Sequence, residues 1–369
     1  MREGALDLAR KLYTEALAKL NDEDADLKAT AVVRSAIVEV RAHRLNIALN
    51  ILTTAGELFE ASSSHLLKGC FHNELAVVLK NLASMESHPD YLDRALREYA
   101  AASFHFEEAG HARYQGVVEN NLALLFLQVR KFDEAHEHLD RAQALYTQLD
   151  DNIHLAQIEE SRARVLAAEG AIAKAAKIAQ TAILVLEKGD QQAPLAEALI
   201  THGVALACLD RDKQAHATLE RAISIAEQSG DLERAGFAAL CLVEQLFEHL
   251  SDDELCSVLE RARSFLKDTH DIALLRRLIE CACRIISRIH TTHPNWTTFS
   301  LSETLRRHEG RYIQMALEDC SGSVTKAAGL LNLHGHQTLN FILNSRHPQL
   351  LKARTPIRPR RRSTFKLMA

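Results

Sequence analysis

The segment KFDEAHEHLDRAQALY, residues 131–146, contains the pattern of small and large apolar residues that decides the fold. Ala135, Leu139 and Ala142 follow one another at i, i+4 and i+7, so they line one face of a helix. Small side chains on such a face let a second helix approach closely. The segment therefore predicts an outer helix packed tightly against a partner helix.

The same pattern returns at steps of forty residues in both directions along the chain. The equivalent triplets are Ala95, Tyr99 and Ala102; Ala175, Ala179 and Ala182; Ala215, Leu219 and Ala222; and Leu255, Leu259 and Ala262. An earlier copy, Ala48, Leu52 and Ala55, lies forty-seven residues before Ala95, and we assign the extra seven residues to a loop at 84–90. Each copy follows another apolar helix, such as NNLALLFLQV, so the sequence predicts about six helix pairs.

The first and second helices of one unit resemble the tetratricopeptide repeat. The resemblance is carried by the small and large positions Leu122, Ala123, Phe126, Phe132, Ala135, Leu139 and Ala142. It implies a right-handed superhelix over residues 1–290 whose concave face binds a protein or peptide ligand. The expected fold class is all-α, a tetratricopeptide-like helical-repeat superhelix followed by a small three-helix domain.

Charge divides the chain into two parts of opposite sign. Residues 301–369 contain 12 Lys or Arg against 4 Asp or Glu, which leaves 32 against 45 for residues 1–300. A basic end on an acidic body is a candidate for nucleic-acid binding.

The seven cysteines are scattered through apolar helical patterns, which favours buried free thiols in a reducing cytoplasm. No signal peptide or membrane-spanning segment is recognisable, so we expect a cytoplasmic protein without a membrane partner.

Three short helices are predicted after a linker at residues 291–300. Leu305, Tyr312, Ile313, Ala316, Leu317 and Cys320 form an apolar stripe on the first of these helices. The second helix buries Val324, Ala327, Ala328 and Leu331, and the third buries Leu339, Ile342 and Leu343. A helix, a tight turn and a second helix of this kind form a helix-turn-helix pattern over residues 301–351.

This part of the sequence is similar to the Fis-type helix-turn-helix at the DNA-binding end of NtrC-class regulators. The similarity is carried by Glu309, Ile313, Ala316, Leu317, Gly322, Ala327, Ala328, Leu331, Leu333, Thr338 and Leu339. It implies double-stranded DNA as a partner and a homodimer that reads two half-sites. The third helix would be the recognition helix, since Gln and Asn amides can pair with adenine and Phe can contact a thymine methyl.

The candidate DNA-binding residues lie on the second and third helices and in a basic tail at residues 352–369. We select Thr325, Lys326, His336, Gln337, Thr338, Asn340, Phe341, Asn344, Arg346, Lys352, Arg354, Arg358, Arg360, Arg361 and Arg362. The tail arginines would supply phosphate or minor-groove contacts that the uncharged helix face does not. A solvated polar face on a small structural bundle is the alternative interpretation of the third helix.

No catalytic or cofactor motif stands out in the sequence. A phosphate-binding GxxxxGK[ST] loop is absent, and none of the nineteen histidines combines with other ligands at a zinc spacing. His136 and His138, two residues apart, point to different helix faces, and Cys281 and Cys283 are assigned to core packing. We therefore expect a sequence-specific DNA-binding transcriptional regulator, not an enzyme, with no cofactor and no metal. The alternative is a protein-interaction adaptor whose basic C-terminal bundle binds a partner or RNA.

Overall fold

The chain consists of helices connected by short turns. The computed structural model describes residues 2–20, 24–86, 89–291 and 300–353, and no strand occurs in these ranges. The chain divides into two compact units, Met1–Thr291 and Thr292–Ala369.

Six helix pairs form most of the first unit. The first helices of the pairs are α2 (Ala25–Arg41), α5 (His65–Glu86), α7 (Ala112–Gln128), α9 (Asn152–Ala168), α11 (Gln192–Ala207) and α13 (Leu232–Gln245). The second helices are α3 (Leu45–Thr54) with its continuation α4 (Gly56–Ala61), α6 (Pro89–Glu108), α8 (Phe132–Gln148), α10 (Ile172–Leu186), α12 (Asp212–Gln228) and α14 (Asp252–Phe265). Helix α1 (Arg2–Lys19) precedes the pairs and α15 (Ile272–Thr291) follows them.

The first helices of the pairs line the inner side of the array. Helices α7, α9, α11, α13 and α15 contact one another in order, and α2 contacts α5. The second helices contact the first helices on either side of them. Because the first helices lie closer together, they form the concave surface.

The predicted forty-residue register is confirmed by burial of the small-residue face. Ala95, Ala135, Ala175 and Ala215 all have 0% exposure, and so do Leu139 and Leu219. The expected loop at 84–90 is wrong at both ends. Helix α5 continues to Glu86 and is five residues longer than α7, at 22 residues against 17, and α6 begins at Pro89.

A second register matches residue sizes between the two helices of a pair. Small residues lie on the inner helices at Ala76, Gly116, Ala156, Ala196 and Gly236, and thirty positions later come Phe106, Tyr146, Leu186, Ala226 and Leu266. All ten residues are buried. A Cβ atom at Gly116 would lie 2.7 Å from the Tyr146 ring, and one at Gly236 would lie 2.5 Å from Leu266 Cγ. At these two positions the large partner leaves no room for a methyl group.

The helices end in left-handed residues at intervals of about twenty residues. Positive φ angles occur at Gly110, Arg130, Asp150, Gly170, Asp210 and Gly230. The amide of the residue after each of them donates to the carbonyl five residues earlier. For example, Lys131 N donates to Phe126 O at 2.9 Å. This is the Schellman arrangement, which satisfies carbonyl groups at the helix end and reverses the chain.

The array closes so that its first two helix pairs meet its last helices. Helix α15 contacts α5. His43, in the turn after α2, lies 3.4 Å from Glu233 Oε1 of α13, and its ring meets the His270 ring edge-on at 6.1 Å. Thr269 Oγ1 donates to the same Glu233 oxygen at 2.6 Å. These contacts join the two ends of the repeat array.

All seven cysteines are free thiols, but the prediction that they are buried is wrong for three of them. Cys208, Cys256 and Cys283 are exposed, and Cys241 and Cys281 are buried. Cys283 follows the buried Cys281 by two residues, which is about 200° around α15, so it lies on the face turned away from the array. Among the described residues, no helix has the length and apolar character needed to cross a bilayer.

Three helices and a 3-10 turn form the described part of the second unit. They are α16 (Leu301–Asp319), α17 (Val324–Leu330), α18 (His336–Ser345) and the turn Pro348–Ala353. Ile313, Ala316 and Leu317 of α16 are buried as expected. Leu305 and Tyr312 are not part of that buried stripe, because they are 59% and 61% exposed. The residues of the predicted linker at 292–299 lie outside the described ranges.

Candidate functional site

Two surfaces are candidate binding sites: the outer face of α18 and the inner groove of the repeat array. Helix α18 packs through Leu339 and Leu343 onto the alanine pair Ala327 and Ala328 of α17. The turn between these helices contains Asn332 at φ 53°, a left-handed conformation that Asn tolerates better than most residues. Leu333 N closes this turn by donating to Ala328 O at 2.9 Å.

A carboxylate joins the end of α18 to the first helix of the unit. Glu309 Oε1 accepts a 2.8 Å bond from Arg346, and Glu309 Oε2 lies 3.0 Å from Nε2 of the buried His347. Gly310 makes room for this histidine, since a Cβ at position 310 would lie 2.9 Å from the imidazole. These contacts fix the direction in which α18 leaves the α17 turn.

Most of the predicted DNA-binding residues lie on the solvent side of this small bundle. The exposed ones are Thr325, Lys326, His336, Gln337, Thr338, Phe341, Asn344, Arg346 and Lys352, and Asn340 is half-buried. Gln337, Phe341 and Asn344 share one face of α18 at i, i+4 and i+7, and Phe341 is 68% exposed. Asn344 Nδ2 donates to Asn340 O at 2.7 Å. Arg354, Arg358, Arg360, Arg361 and Arg362 lie outside the described residues.

A cavity of about 190 Å³ opens on the inner face of the array between α2, α5 and α7. Its apolar lining includes Val33 and Ile37 of α2, Phe106 of α6 and Val117 of α7. The polar groups at its wall are Thr30, Arg34, Cys70, Asn73, Glu74 and Tyr114. This combination of an apolar body and a few polar groups is typical of a ligand site.

The polar groups of this cavity are incompletely satisfied. Asn73 Nδ2 donates to Glu74 Oε1 at 3.0 Å, but the buried Asn73 Oδ1 has no hydrogen-bond partner among the described residues. Burial raises the pKa of Glu74, although the bond from Asn73 and the charges of Arg34 and Arg41 oppose the shift. This acceptor is itself shielded from solvent, so it is an unsatisfied polar group within the cavity wall.

Further along the inner face, Lys80 of α5 lies near Arg164 of α9. Burial lowers the pKa of the Lys80 ammonium, and repulsion by Arg164 lowers it further. Next to this pair, the buried Glu160 accepts a 2.6 Å bond from Thr201, and Arg234 of α13 pairs with Glu197 of α11. Burial raises the pKa of Glu160. The centre of the groove is therefore polar, with a cationic side at Lys80 and Arg164.

Sequence reasoning selected no individual residue in this groove. Arg34, Asn73, Lys80 and Arg164 lie among other polar residues on three different helices, and no repeated spacing relates them. A helical-face count would have shown only that Asn73 and Lys80, seven residues apart, share a face of α5.

The histidines do not form a metal site in the described residues. His136 Nε2 contacts Glu169 at 3.1 Å and His138 Nδ1 contacts Glu119 at 2.7 Å, so the two rings face different partners as predicted. No group of three or more potential ligands is placed to hold a metal ion in the described ranges.

Comparison with known proteins supports the architecture. No protein-family model and no curated protein sequence matches the chain. Among solved structures, a Rap protein complexed with Competence and Sporulation Factor aligns with a TM-score of 0.54 and 16% identity, over 75% of this chain and 80% of its own. NprR in complex with its cognate peptide NprX aligns with a TM-score of 0.54 and 10% identity, over 93% of this chain and 94% of its own.

A third solved structure is similar over nearly the whole chain. Aspartyl phosphate phosphatase F from Bacillus subtilis aligns with a TM-score of 0.52 and 14% identity, over 95% of this chain and 90% of its own. At these identities the similarity concerns the fold. The chain has an all-α, tetratricopeptide-like helical-repeat fold, as its sequence predicts.

Proposed function

We propose that this protein is a sequence-specific DNA-binding transcriptional regulator whose repeat array binds a peptide or protein ligand. In this proposal residues 301–351 form a Fis-type helix-turn-helix domain and α18 is the recognition helix. The protein acts in the cytoplasm as a homodimer, because helix-turn-helix proteins generally read two half-sites. It has no catalytic role.

The outer face of α18 is the observation that carries the DNA-binding part. Gln337, Phe341 and Asn344 project from one exposed face, opposite the buried Leu339 and Leu343. An exposed Phe between two amides has no packing role in the bundle, but it suits a major groove in which amides bond to adenine and an apolar group meets thymine methyls. Lys326, exposed on α17, is placed on the same small bundle to contact phosphate.

The inner groove supports the ligand-binding part. It contains a cavity with an unsatisfied amide and two cations near each other, and it is narrowed by the contact of α5 with α15. Two structures of similar fold were solved with Competence and Sporulation Factor and with the cognate peptide NprX. A short peptide fits a narrow groove better than a folded protein does.

Selection from a random duplex library with the full-length protein tests the proposal. We expect a palindromic motif rich in A·T pairs at the positions read by α18. Gln337→Ala and Asn344→Ala should each weaken binding to the selected duplex by about 1–3 kcal/mol, roughly ten- to a hundredfold. Gln314→Ala is the matched control, because Gln314 is an exposed glutamine on α16 that bonds to Glu318 within its own helix. Its affinity should equal that of the unmodified protein.

The opposite outcome would favour the adaptor. If no motif is enriched, or if the two α18 variants select the same motif with the same affinity, α18 is not a recognition helix. Binding to any nucleic acid through the basic tail alone would then point to a partner-docking or RNA-binding role for the C-terminal unit.

A further inference from the structure

Three histidines meet between the two helices of the second pair. His65 at the start of α5 and His105 near the end of α6 face each other, with 3.0 Å between their Nδ1 atoms. The His72 ring of α5 stacks on His105, with 5.4 Å between the ring centroids and 16° between the ring planes. All three rings are half-buried. These three residues are called the histidine cluster below.

The contact between His65 and His105 is favourable for only some arrangements of protons. Two Nδ1 atoms at 3.0 Å form a hydrogen bond when one of them carries a hydrogen and the other keeps its lone pair. If both rings are protonated, both Nδ1 atoms become donors and the contact becomes repulsive. The pair therefore tolerates one positive charge but not two.

Groups that carry or can gain a positive charge surround His105. Burial is the main reason why the pKa of His105 lies below its ordinary value, and repulsion from His72, His65 and Lys68 lowers this pKa further. Glu108, on the same helix, opposes these effects only in part. The folded protein therefore accepts a proton at His105 less readily than the unfolded chain does.

The other neighbours of the cluster do not neutralise a charge on His105. Glu98 lies 2.7 Å from His72 Nδ1, so it compensates a charge on that ring. On the side of α4 the neighbours are apolar, because Phe71 lies edge-on against His72 at 5.2 Å and stacks on Phe59 of α4. Among the described residues, the three rings form no further hydrogen bond or ion pair.

The cluster adjoins the wall of the inner cavity. Phe106, which follows His105, lines the cavity together with Cys70 of α5. The Phe106 ring lies against Gly69, where a Cβ would come within 2.7 Å of the ring. On the side of α7, His111 meets Phe106 with 6.5 Å between the ring centroids. Because Gly69 lies one helical turn after the first histidine of the cluster, a separation of α5 and α6 at the cluster also moves Phe106 away from α5.

We propose that the histidine cluster is a pH-sensitive switch, which holds α6 against α5 at neutral pH and releases it when both His65 and His105 are protonated. Release separates the two helices at the end that contains Phe106 and opens the cavity between α2, α5 and α7. The switch goes beyond the proposed ligand binding, because it does not depend on which ligand the array binds.

Release occurs on the acid side of neutrality. The pKa of His105 in the folded protein is lower than the ordinary value of 6.5 that applies in the unfolded chain, so the unfolded chain binds more protons between these two values. The stability contributed by the neutral ring is complete above the unfolded-state pKa and is lost as the pH falls from there to the folded-state pKa. Locally opened forms of the α5–α6 pair gain population over the same range.

The reactivity of Cys70 measures whether the cavity opens. The full-length protein is treated with methyl methanethiosulfonate in EDTA buffer at about pH 7.5 and at about pH 5.5, on either side of the ordinary histidine pKa. Peptide mass spectrometry follows each cysteine, and the exposed Cys208 is the reference at each pH. We expect the ratio of the Cys70 rate to the Cys208 rate to rise at least about fivefold on acidification, because two charges this close repel strongly in a half-buried site.

Variants of the cluster assign the effect to the two facing rings. His105→Asn removes the titrating ring but keeps a polar atom at the position of Nδ1, so it can still bond to His65, and the ratio should rise less than about twofold. His65→Asn tests the same contact from α5 and replaces the first variant if that one does not fold. His136→Gln is the matched control, since His136 of α8 faces the carboxylate of Glu169 at 3.1 Å instead of an imidazole. It should respond to pH as the unmodified protein does.

The buried Cys241 of α13 distinguishes local opening from unfolding of the whole array. A rise in reactivity that is confined to Cys70 supports the switch, whereas a parallel rise at Cys241 would show general acid unfolding and overturn it. An equal rise in the unmodified protein and in the His105→Asn or His65→Asn variant would overturn it as well. A ratio that stays constant between the two pH values in the unmodified protein would show that the cluster does not control the cavity.

Discussion

The fit between Gly236 and Leu266 provides a direct test of how the helix pairs are specified. In Gly236→Ala the new methyl carbon would lie 2.5 Å from both Cγ and Cδ2 of Leu266, which is 1% exposed. Overpacking of this kind costs about 1–3 kcal/mol. Because the contact includes the branch point Cγ, rotation about χ2 cannot relieve it, and rotation about χ1 would have to move a fully packed side chain. We therefore take the upper value. Ala is favoured over Gly within a helix by about 1 kcal/mol, so the net loss of stability should be about 2 kcal/mol.

A double-mutant cycle separates the steric effect from helix propensity. Leu266→Ala alone should cost about 2–5 kcal/mol, because it leaves a cavity. The double variant recreates the pair that the chain already uses at Ala196 and Ala226, both 0% exposed. Its loss of stability should therefore be smaller than the sum of the two single losses by at least about 1 kcal/mol.

Urea unfolding followed by circular dichroism measures these changes, and hydrogen exchange at α13 and α14 places them in the sixth helix pair. Gly56→Ala is the control in the same unit, since a Cβ there meets nothing within 4 Å. It should change the stability by no more than about 0.5 kcal/mol. Additive effects in the cycle, or a Gly236→Ala protein as stable as the original, would refute size matching as the basis of the register.

Four further predictions concern turns, buried carboxylates and the basic tail. Arg130→Gly should raise the unfolding free energy by up to about 1 kcal/mol in urea titrations, because the residue is held at φ 59° and glycine adopts this conformation without strain. Glu309→Gln should lower the thermal stability of the C-terminal unit by about 1–3 kcal/mol, because the buried histidine beside it would no longer have a charged partner. Burial raises the pKa of Glu119, but hydrogen bonds from a histidine and a serine outweigh this and leave the pKa below its ordinary value. The Glu119 carboxylate therefore stabilises the fold at pH values above its unfolded-state pKa, and this contribution is lost as the pH falls through its folded-state pKa. In Glu119→Gln the urea midpoint should therefore fall less steeply as the solution is acidified. Removal of residues 354–369 should weaken binding to all duplexes. The slope of the logarithm of the binding constant against the logarithm of the salt concentration should fall by about one for each phosphate that the tail neutralises. An unchanged slope would show that the tail does not contact DNA.

The buried face of the second helix in each pair could be predicted from sequence because burial there depends on local spacing. Ala135, Leu139 and Ala142 are 0% exposed, as their i, i+4 and i+7 positions require. The ends of the helices were harder to predict from sequence, because the left-handed positions are occupied by Arg130 and Asp210 as well as by glycines. At these turns the backbone bonds across the helix end override the residue preference.

The chemistry of the inner groove could not be predicted from sequence, because it depends on which charged side chains form ion pairs in the folded array. Arg162 and Arg164 are two residues apart on α9 and look equivalent in the sequence. In the structure the first pairs with Asp140, and the second lies near Lys80 of another repeat. Position 80 and position 164 are related by the curvature of the whole array, which no local pattern encodes.

Closure of the array depends on weaker interactions than those within the helix pairs. The His43–Glu233 pair is half-exposed, and ion pairs of this kind contribute about 0–1 kcal/mol. Each helix pair, by contrast, buries a continuous apolar face. The contact between the first and last repeats is therefore the part of the array that opens at the lowest free-energy cost.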